Sequence, residues 1–150
     1  MKSNSKSILI RPVVKSEHPI LLELWSGSVS ATHRFLTQND IALLYQQLQA
    51  QWLDLVEIWV LEVSTEIVGF IGFDENRVEM LFIEPNHFRK GYGQQLINFA
   101  KQRSREIFLD VNEQNPQALA FYQKQGFQSI GRSETDSQGN PFPLLHLRYQ

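Results

Sequence analysis

The sequence predicts an α/β (α+β) fold: one domain over residues 1–150, with a mixed, mostly antiparallel sheet of about six to seven strands and about four helices. Three observations carry this expectation. Two apolar helical periodicities precede three runs rich in Val, Ile, Phe and Trp separated by turn residues; a strand, a glycine-bearing loop and a helix follow in that order; and short strands close the chain. With 150 residues there is enough chain for one substantial core, whereas two would be thin.

Residues 8–11 are rich in branched side chains and run into Pro12, as a first strand ending in a turn does. From Pro19, Ile20, Leu21, Leu24, Trp25 and Val29 recur at three- and four-residue intervals on one helical face, and Ser26, Gly27 and Ser28 weaken the end of that helix. Thr37, Asn39 and Asp40 are each suited to cap a second helix, whose Ile41, Leu44, Tyr45, Leu48, Trp52 and Leu55 share one side. Residues 58–63, 67–74 and 78–83 read as an antiparallel meander turned at Ser64-Thr65-Glu66 and Glu75-Asn76. After Pro85, the turn Arg89-Lys90-Gly91-Tyr92-Gly93 opens a helix with Leu96, Ile97, Ala100 and Arg103 at helical spacing. Residues 107–111 form a further strand, and Pro116 starts a helix that carries Ala118, Phe121 and Tyr122 and stops at Gly126. The last strands, 127–131 and 144–149, are joined by a polar loop with Asp136 and Gly139. Trp25, Trp52 and Trp59 fall inside these patterns and read as core rather than as a base-stacking platform.

Composition narrows the function. The chain is 42% hydrophobic and 20% charged, which is the balance of a folded domain. A net charge of -2 gives no basic field to hold nucleic acid or an anionic membrane. Without cysteine there is no disulfide framework and no thiol nucleophile. The first seven residues lack the apolar core of a secretory signal and no stretch reaches the ~18 apolar residues of a membrane span, so a cytoplasmic protein is expected. The histidines are scattered and show no ligand spacing with Asp or Glu, so no metal is expected.

The chemistry gathers where strand 78–83 leads into Gly91-Tyr92-Gly93 at a helix start. The first N–H groups of a helix lack partners and carry partial positive charge, and glycine lets a phosphate approach the backbone closely. Alone, the glycine pair reads equally as a tight turn with no ligand. It is not a P-loop, since Gly-Lys-Ser/Thr is missing, and Leu96 stands where a Gly-x-Gly-x-x-Gly motif needs its third glycine. More specific is the stretch Asn112-Glu113-Gln114-Asn115-Pro116-Gln117-Ala118-Leu119-Ala120-Phe121-Tyr122, closed by Gly126-Phe127.

In order and spacing, the Gly91/Gly93 turn followed by Asn115, Ala118, Phe121-Tyr122 and Gly126-Phe127 resembles the GNAT superfamily of N-acetyltransferases. Ala31-Thr32-His33 with Phe35-Leu36, Val111 to Asn115, Gly131-Arg132-Ser133-Glu134, and Gly139 with Pro141, Pro143 and Leu144-Leu145 resemble its YjaB-type branch of bacterial peptidyl-lysine N-acetyltransferases. The resemblance implies a sheet splayed at the cofactor site and acetyl-CoA as acetyl donor, with coenzyme A as product. It implies that the main chain of Leu81, Phe82 and Ile83 pairs with the pantetheine arm like an added strand, while their side chains are core. Phe88, Arg89, Lys90, Gly91, Tyr92, Gly93 and Gln94 would cradle the pyrophosphate, and Asn115 and Tyr122 would lie along the cofactor. The family turn usually begins with Gln or Arg three residues before the first glycine. Phe88 stands there in this chain, so Phe88 offers only its N–H, and Arg89 or Lys90 supplies any side-chain contact to phosphate.

Acetyl transfer needs a neutral amine, a polarised thioester and a proton for the leaving thiolate. The resemblance makes Tyr122 that proton donor, although helical spacing alone gives an ordinary amphipathic residue. Glu79 shares its strand position with the glutamate base of histone-type members; its other reading is an exposed carboxylate beside Arg77, and Glu84 faces away by strand alternation. His33 lies in a segment that walls the acceptor site in this fold and titrates near pH 6.5, so it is a second candidate base; its other reading is a capping or partly buried histidine. A water is the third candidate. His18 and His87 take no implied role, and His146 lies nearer the site. The implied acceptor is a primary amine, a protein lysine in this branch; a small amine, or a non-catalytic acetyl-CoA-binding module, are the alternatives. The chain works as a monomer or homodimer on this reading.

Overall fold

The computed structural model describes residues 7–150. β1 (Ile8–Pro12) leads past a 3-10 turn at Lys15–Glu17 into α1 (His18–Thr32) and α2 (Gln38–Gln47), which a π-helical turn at Leu48–Trp52 and the one-turn α3 (Leu53–Leu55) extend. The meander follows as β2 (Glu57–Val63), β3 (Glu66–Asp74) and β4 (Arg77–Ile83). A 3-10 turn at Pro85–His87, α4 (Tyr92–Arg103), β5 (Ile107–Asn112), α5 (Pro116–Lys124), β6 (Gln128–Ser133) and β7 (Leu144–Tyr149) complete the chain.

All seven strands join one sheet in the order β1-β2-β3-β4-β5-β7-β6. Every pairing is antiparallel except β4 with β5, which is parallel and lasts for only two register positions. Alternation of side chains sends Ile71, Leu109 and Leu147 to the face covered by Leu96 and Ile97 of α4. The other face packs Val60 and Phe70 under Leu21 and Trp25 of α1. Leu96, Ile97 and Leu21 are fully buried, each contributing roughly 1.5–3 kcal/mol. No helix among the described residues is long and apolar enough to cross a membrane.

Two helical details depart from the sequence reading. α1 does not weaken at Ser26-Gly27-Ser28 but runs on to Thr32, because Ser28 is buried and a Cβ on Gly27 would stand 3.6 Å from Pro85. Tertiary packing there outweighs the ~1 kcal/mol propensity cost of a helical glycine. In the second helix the cap is Thr37. Its Oγ1 accepts from Asp40 N–H at 3.1 Å while Asp40 Oδ2 accepts from Thr37 N–H at 2.9 Å, a reciprocal capping box. The π turn then inserts an extra residue, which rotates everything after it by about 100°. Leu53 is therefore buried, and Leu55, assigned from periodicity to the inner face, is 71% exposed.

The β2–β3 hairpin turns on Ser64 and Thr65, both at positive φ (49° and 71°). A two-residue turn with both centres left-handed matches the twist of the strands, but a β-branched threonine is strained there. Thr65→Gly is expected to stabilise the protein by roughly 1 kcal/mol, read as a higher urea midpoint; a lower midpoint would show that the turn holds no strain.

Candidate functional site

β4 and β5 pair at Arg77↔Phe108 and Val78↔Leu109 and then part, so residues 80–83 keep a sheet partner only on the β3 side. A cleft of about 1500 Å³ opens in the gap. It is walled by the end of α1 with His33 and Phe35, by β4, by the loop before α4 and by the start of α5.

The loop is shaped by its backbone. Phe88 N–H donates to Pro85 O at 3.2 Å, and its ring packs against the α4-side core, which accounts for an apolar residue at that place. Arg89 (φ 64°) and Gly91 (φ 83°) turn the chain into α4. The first intrahelical bond of α4 is Gln95 N–H to Gly91 O at 3.1 Å; the amides of residues 89–94 have no acceptor among the described residues. Six donors thus gather at a helix N-terminus, where the helix dipole adds positive potential. The free run begins one residue after Phe88, whose own amide is engaged. The two glycines serve different ends. A Cβ on Gly91 would meet nothing within 4 Å, so glycine there answers the positive φ, whereas a Cβ on Gly93 would come within 3.3 Å of Phe121 Cζ. Arg89 is exposed, lines the cleft and has no ion pair among the described residues. Lys90, alone among the residues read as cofactor contacts, does not line the cleft; its Nζ lies 3.5 Å from His87 Nδ1.

Tyr122 is fixed by both ends of a nine-residue helix. Asn115 caps the start, its Oδ1 accepting from Ala118 N–H at 3.3 Å, and Pro116 takes the first helical position. At the finish, Gly126 (φ 99°) donates to Gln123 O at 3.0 Å and Phe127 donates to Tyr122 O at 3.0 Å, a Schellman motif. The Phe127 ring meets the Tyr122 ring edge-on at 5.6 Å. Gly126-Phe127 therefore locks the turn that carries Tyr122. Burial pushes the Tyr122 phenol well above its ordinary value, because a buried phenolate loses its hydration. Its hydroxyl makes no hydrogen bond to another described residue and stays a protonated donor at neutral pH, and Tyr122 lines the cleft.

His33 caps the end of α1, donating its N–H to Val29 O at 2.8 Å. Thr32 Oγ1 spends its one proton on Ser28 O (2.8 Å) and lies 2.8 Å from His33 Nδ1. His33 must then carry its proton on Nδ1, which leaves a lone pair on Nε2. Burial lowers the imidazole below its ordinary value. His33 thus both caps α1 and lines the cleft.

Glu79 sits in a bulge: Val78 pairs with Phe73 and Met80 with Gly72, so Glu79 is the extra residue on β4. Its Oε1 takes Arg77 Nε at 2.8 Å. Glu84 does not point at the cleft; it caps the following 3-10 turn by accepting Asn86 N–H at 3.1 Å. Tyr122, Glu79 and His33 line one cleft with Leu81, Phe82, Ile83, Gly91, Tyr92, Gly93, Gln94 and Asn115. The sequence reading missed Asp110, which lines the same cleft, pairs with Arg77 and holds His146 Nδ1 at 2.6 Å. The available signal was a lone aspartate inside an apolar strand, where Asp is disfavoured.

Because folded His33 resists protonation while the unfolded chain takes it up near pH 6.5, stability is full above that pH and lost as pH falls below it. Urea denaturation at pH 7.5 and 5.5 is expected to show a smaller acid loss for His33→Asn than for the wild type; equal losses would contradict the burial.

Comparison with known proteins identifies the family and the fold. The family model described as Acetyltransferase (GNAT) domain matches residues 29–144. The chain is 38% identical over 143 residues to the peptidyl-lysine N-acetyltransferase YjaB of Salmonella typhimurium, covering 95% of this chain and 98% of that protein. The solution structure of apo YjaB from Escherichia coli superposes with a TM-score of 0.89 at 37% identity, covering 95% of this chain and 97% of that one. The PaiA N-acetyltransferase of Thermoplasma acidophilum, solved in complex with coenzyme A, shares the fold with a TM-score of 0.78 at 20% identity over 96% of this chain and 99% of that one. With its splayed sheet, its amide-rich loop and its family match over most of its length, the chain belongs to the GNAT acetyltransferase family.

Proposed function

We propose that residues 1–150 work as one N-acetyltransferase domain, moving an acetyl group from acetyl-CoA to a primary amine, a protein lysine side chain, by direct attack in a ternary complex. The observation that carries this reading is the run of unpartnered amides at residues 89–94 beside the one-sided stretch of β4. The relatives named peptidyl-lysine N-acetyltransferases support the acceptor, and the coenzyme A complex of PaiA supports the donor.

Acetyl-CoA supplies an acetyl thioester at the end of a long arm anchored by a diphosphate. The amides of residues 89–94 donate to that diphosphate, and exposed Arg89 adds a charge-assisted contact. The free main-chain groups of Leu81, Phe82 and Ile83 hold the amides of the arm as they would hold another strand. Asn115 keeps the start of α5 against the cleft. Tyr122 donates its proton to the departing sulfur, which needs one because thiols have a reference pKa of about 8.5. A lysine acceptor, with a reference pKa of about 10.4, arrives as ammonium. His33 Nε2 and the Glu79 carboxylate held by Arg77 are the groups that take its proton, directly or through water.

Tyr122→Phe is expected to lower kcat by roughly 10²–10⁴-fold in a thiol-release assay while acetyl-CoA affinity stays near wild type. An unchanged kcat at every pH would remove Tyr122 from the acid role. Gly91→Val, which forces a branched residue to positive φ within the cradle, is expected to weaken acetyl-CoA binding by roughly tenfold or more in calorimetry; retained affinity would mean that the loop does not hold the diphosphate.

A further inference from the structure

Beside the cofactor cleft, which Asp110 also lines, the molecule holds a Ser-His-Asp constellation that takes no part in the acetyl-transfer steps above. On β7, His146 stands opposite Asp110 of β5 and Gly131 of β6, so three strands brought together only by the sheet order meet at one imidazole. His146 Nδ1 lies 2.6 Å from Asp110 Oδ1, and His146 Nε2 lies 2.7 Å from Ser133 Oγ. A carboxylate can only accept, so Nδ1 carries the proton and Nε2 is left to accept from the Ser133 hydroxyl. That is the polarity of a nucleophile, a base and an orienting carboxylate, and such a set is recognised by geometry rather than by chain order. Arg77 holds the second oxygen of Asp110, as a fixed counter-charge for an orienting carboxylate.

Access is open. The helices of the α1 side pack over β2, β3 and β4, and His146 is about a third exposed (34%) while Asp110 is 20% exposed. The other charged groups on this part of the sheet are engaged in pairs: Arg77 with Glu79, Arg132 with Glu113 at 2.6 Å, and Arg148 with Glu106 at 2.6 Å. β6 is the outermost strand, so the N–H groups on its free edge have no sheet partner among the described residues.

We propose that Ser133, His146 and Asp110 form a second reactive centre that hydrolyses small activated acyl esters. Ser133 Oγ bonds to the ester carbonyl carbon as its proton passes to His146 Nε2. The ester C–O bond then breaks, the departing oxygen takes that proton, and an acyl-serine remains. Water adds to the same carbon, giving its proton to His146; the acyl C–Oγ bond breaks, Ser133 recovers a proton, and a carboxylic acid leaves. The acetyl-CoA reading is not required for any of these steps.

The test treats the full chain with a fluorophosphonate probe, maps the adduct by peptide mass spectrometry, and follows hydrolysis of p-nitrophenyl acetate. The folded wild type is expected to be labelled at Ser133. Ester turnover is expected to fall by roughly 10²-fold or more in Ser133→Ala and in His146→Gln. Both variants should keep a cooperative thermal transition, and Ser133→Ala should keep acetyl-CoA binding and thiol release, which separates this centre from the acetyltransfer reading. Labelling of the wild type needs no variant to fold. Absence of adduct at Ser133 in the folded wild type, or labelling that His146→Gln leaves unchanged in rate, overturns the proposal.

Discussion

The site depends on the early divergence of two strands. β4 and β5 are hydrogen-bonded at only two register positions, and past them β4 presents main-chain groups with no neighbour on one side. A buried strand cannot leave such groups unpaired without cost, and loops in compact domains normally cover them. Here the gap is a cleft that ends at the N-terminus of α4, where six further amides lack acceptors among the described residues. One interruption of the sheet thus places strand donors and acceptors in line with a helix-dipole anion site, which is the layout an extended, amide-bearing, phosphorylated ligand requires.

Burial sets the charge state of the groups that face this gap. Desolvation raises the Tyr122 phenol and lowers the His33 imidazole, and in both cases it favours the neutral form. The phenol is kept as a donor and the imidazole as an acceptor, two opposite proton roles from one physical cause. Local structure then aims them: the Schellman motif at Gly126-Phe127 fixes Tyr122, and the Thr32 hydroxyl, committed to Ser28 O, selects the His33 tautomer. The bulge at Glu79 does the same for a carboxylate, setting it on Arg77 within the same strand.

Much of this was legible in the sequence where the signals are local. The meander, the proline that opens α5, its terminal glycine and the glycine turn ahead of α4 are all short-range patterns, and the structure places them as read, whereas the Asn115 cap of α5 was not read from the sequence. Registers and phases were less legible. The π turn that exchanges Leu53 for Leu55 leaves no mark on a 3.6-residue pattern until the packing is seen. Gly27 and Ser28 look like a helix end because their propensity is poor, yet Ser28 is buried and Pro85, far along the chain, packs against Gly27. Asp110, His146 and Ser133 are separated by the whole of α5 and a long loop, and only the insertion of β7 between β5 and β6 makes them neighbours.

The most direct test of the central claim is a residue-resolved one: ¹⁵N–¹H spectra of the protein titrated with coenzyme A. The account predicts that the amide resonances of residues 89–94 move most, together with those of 81–83, as the diphosphate and the arm find their donors. Saturable binding that leaves these amides in place and shifts a different surface would contradict it.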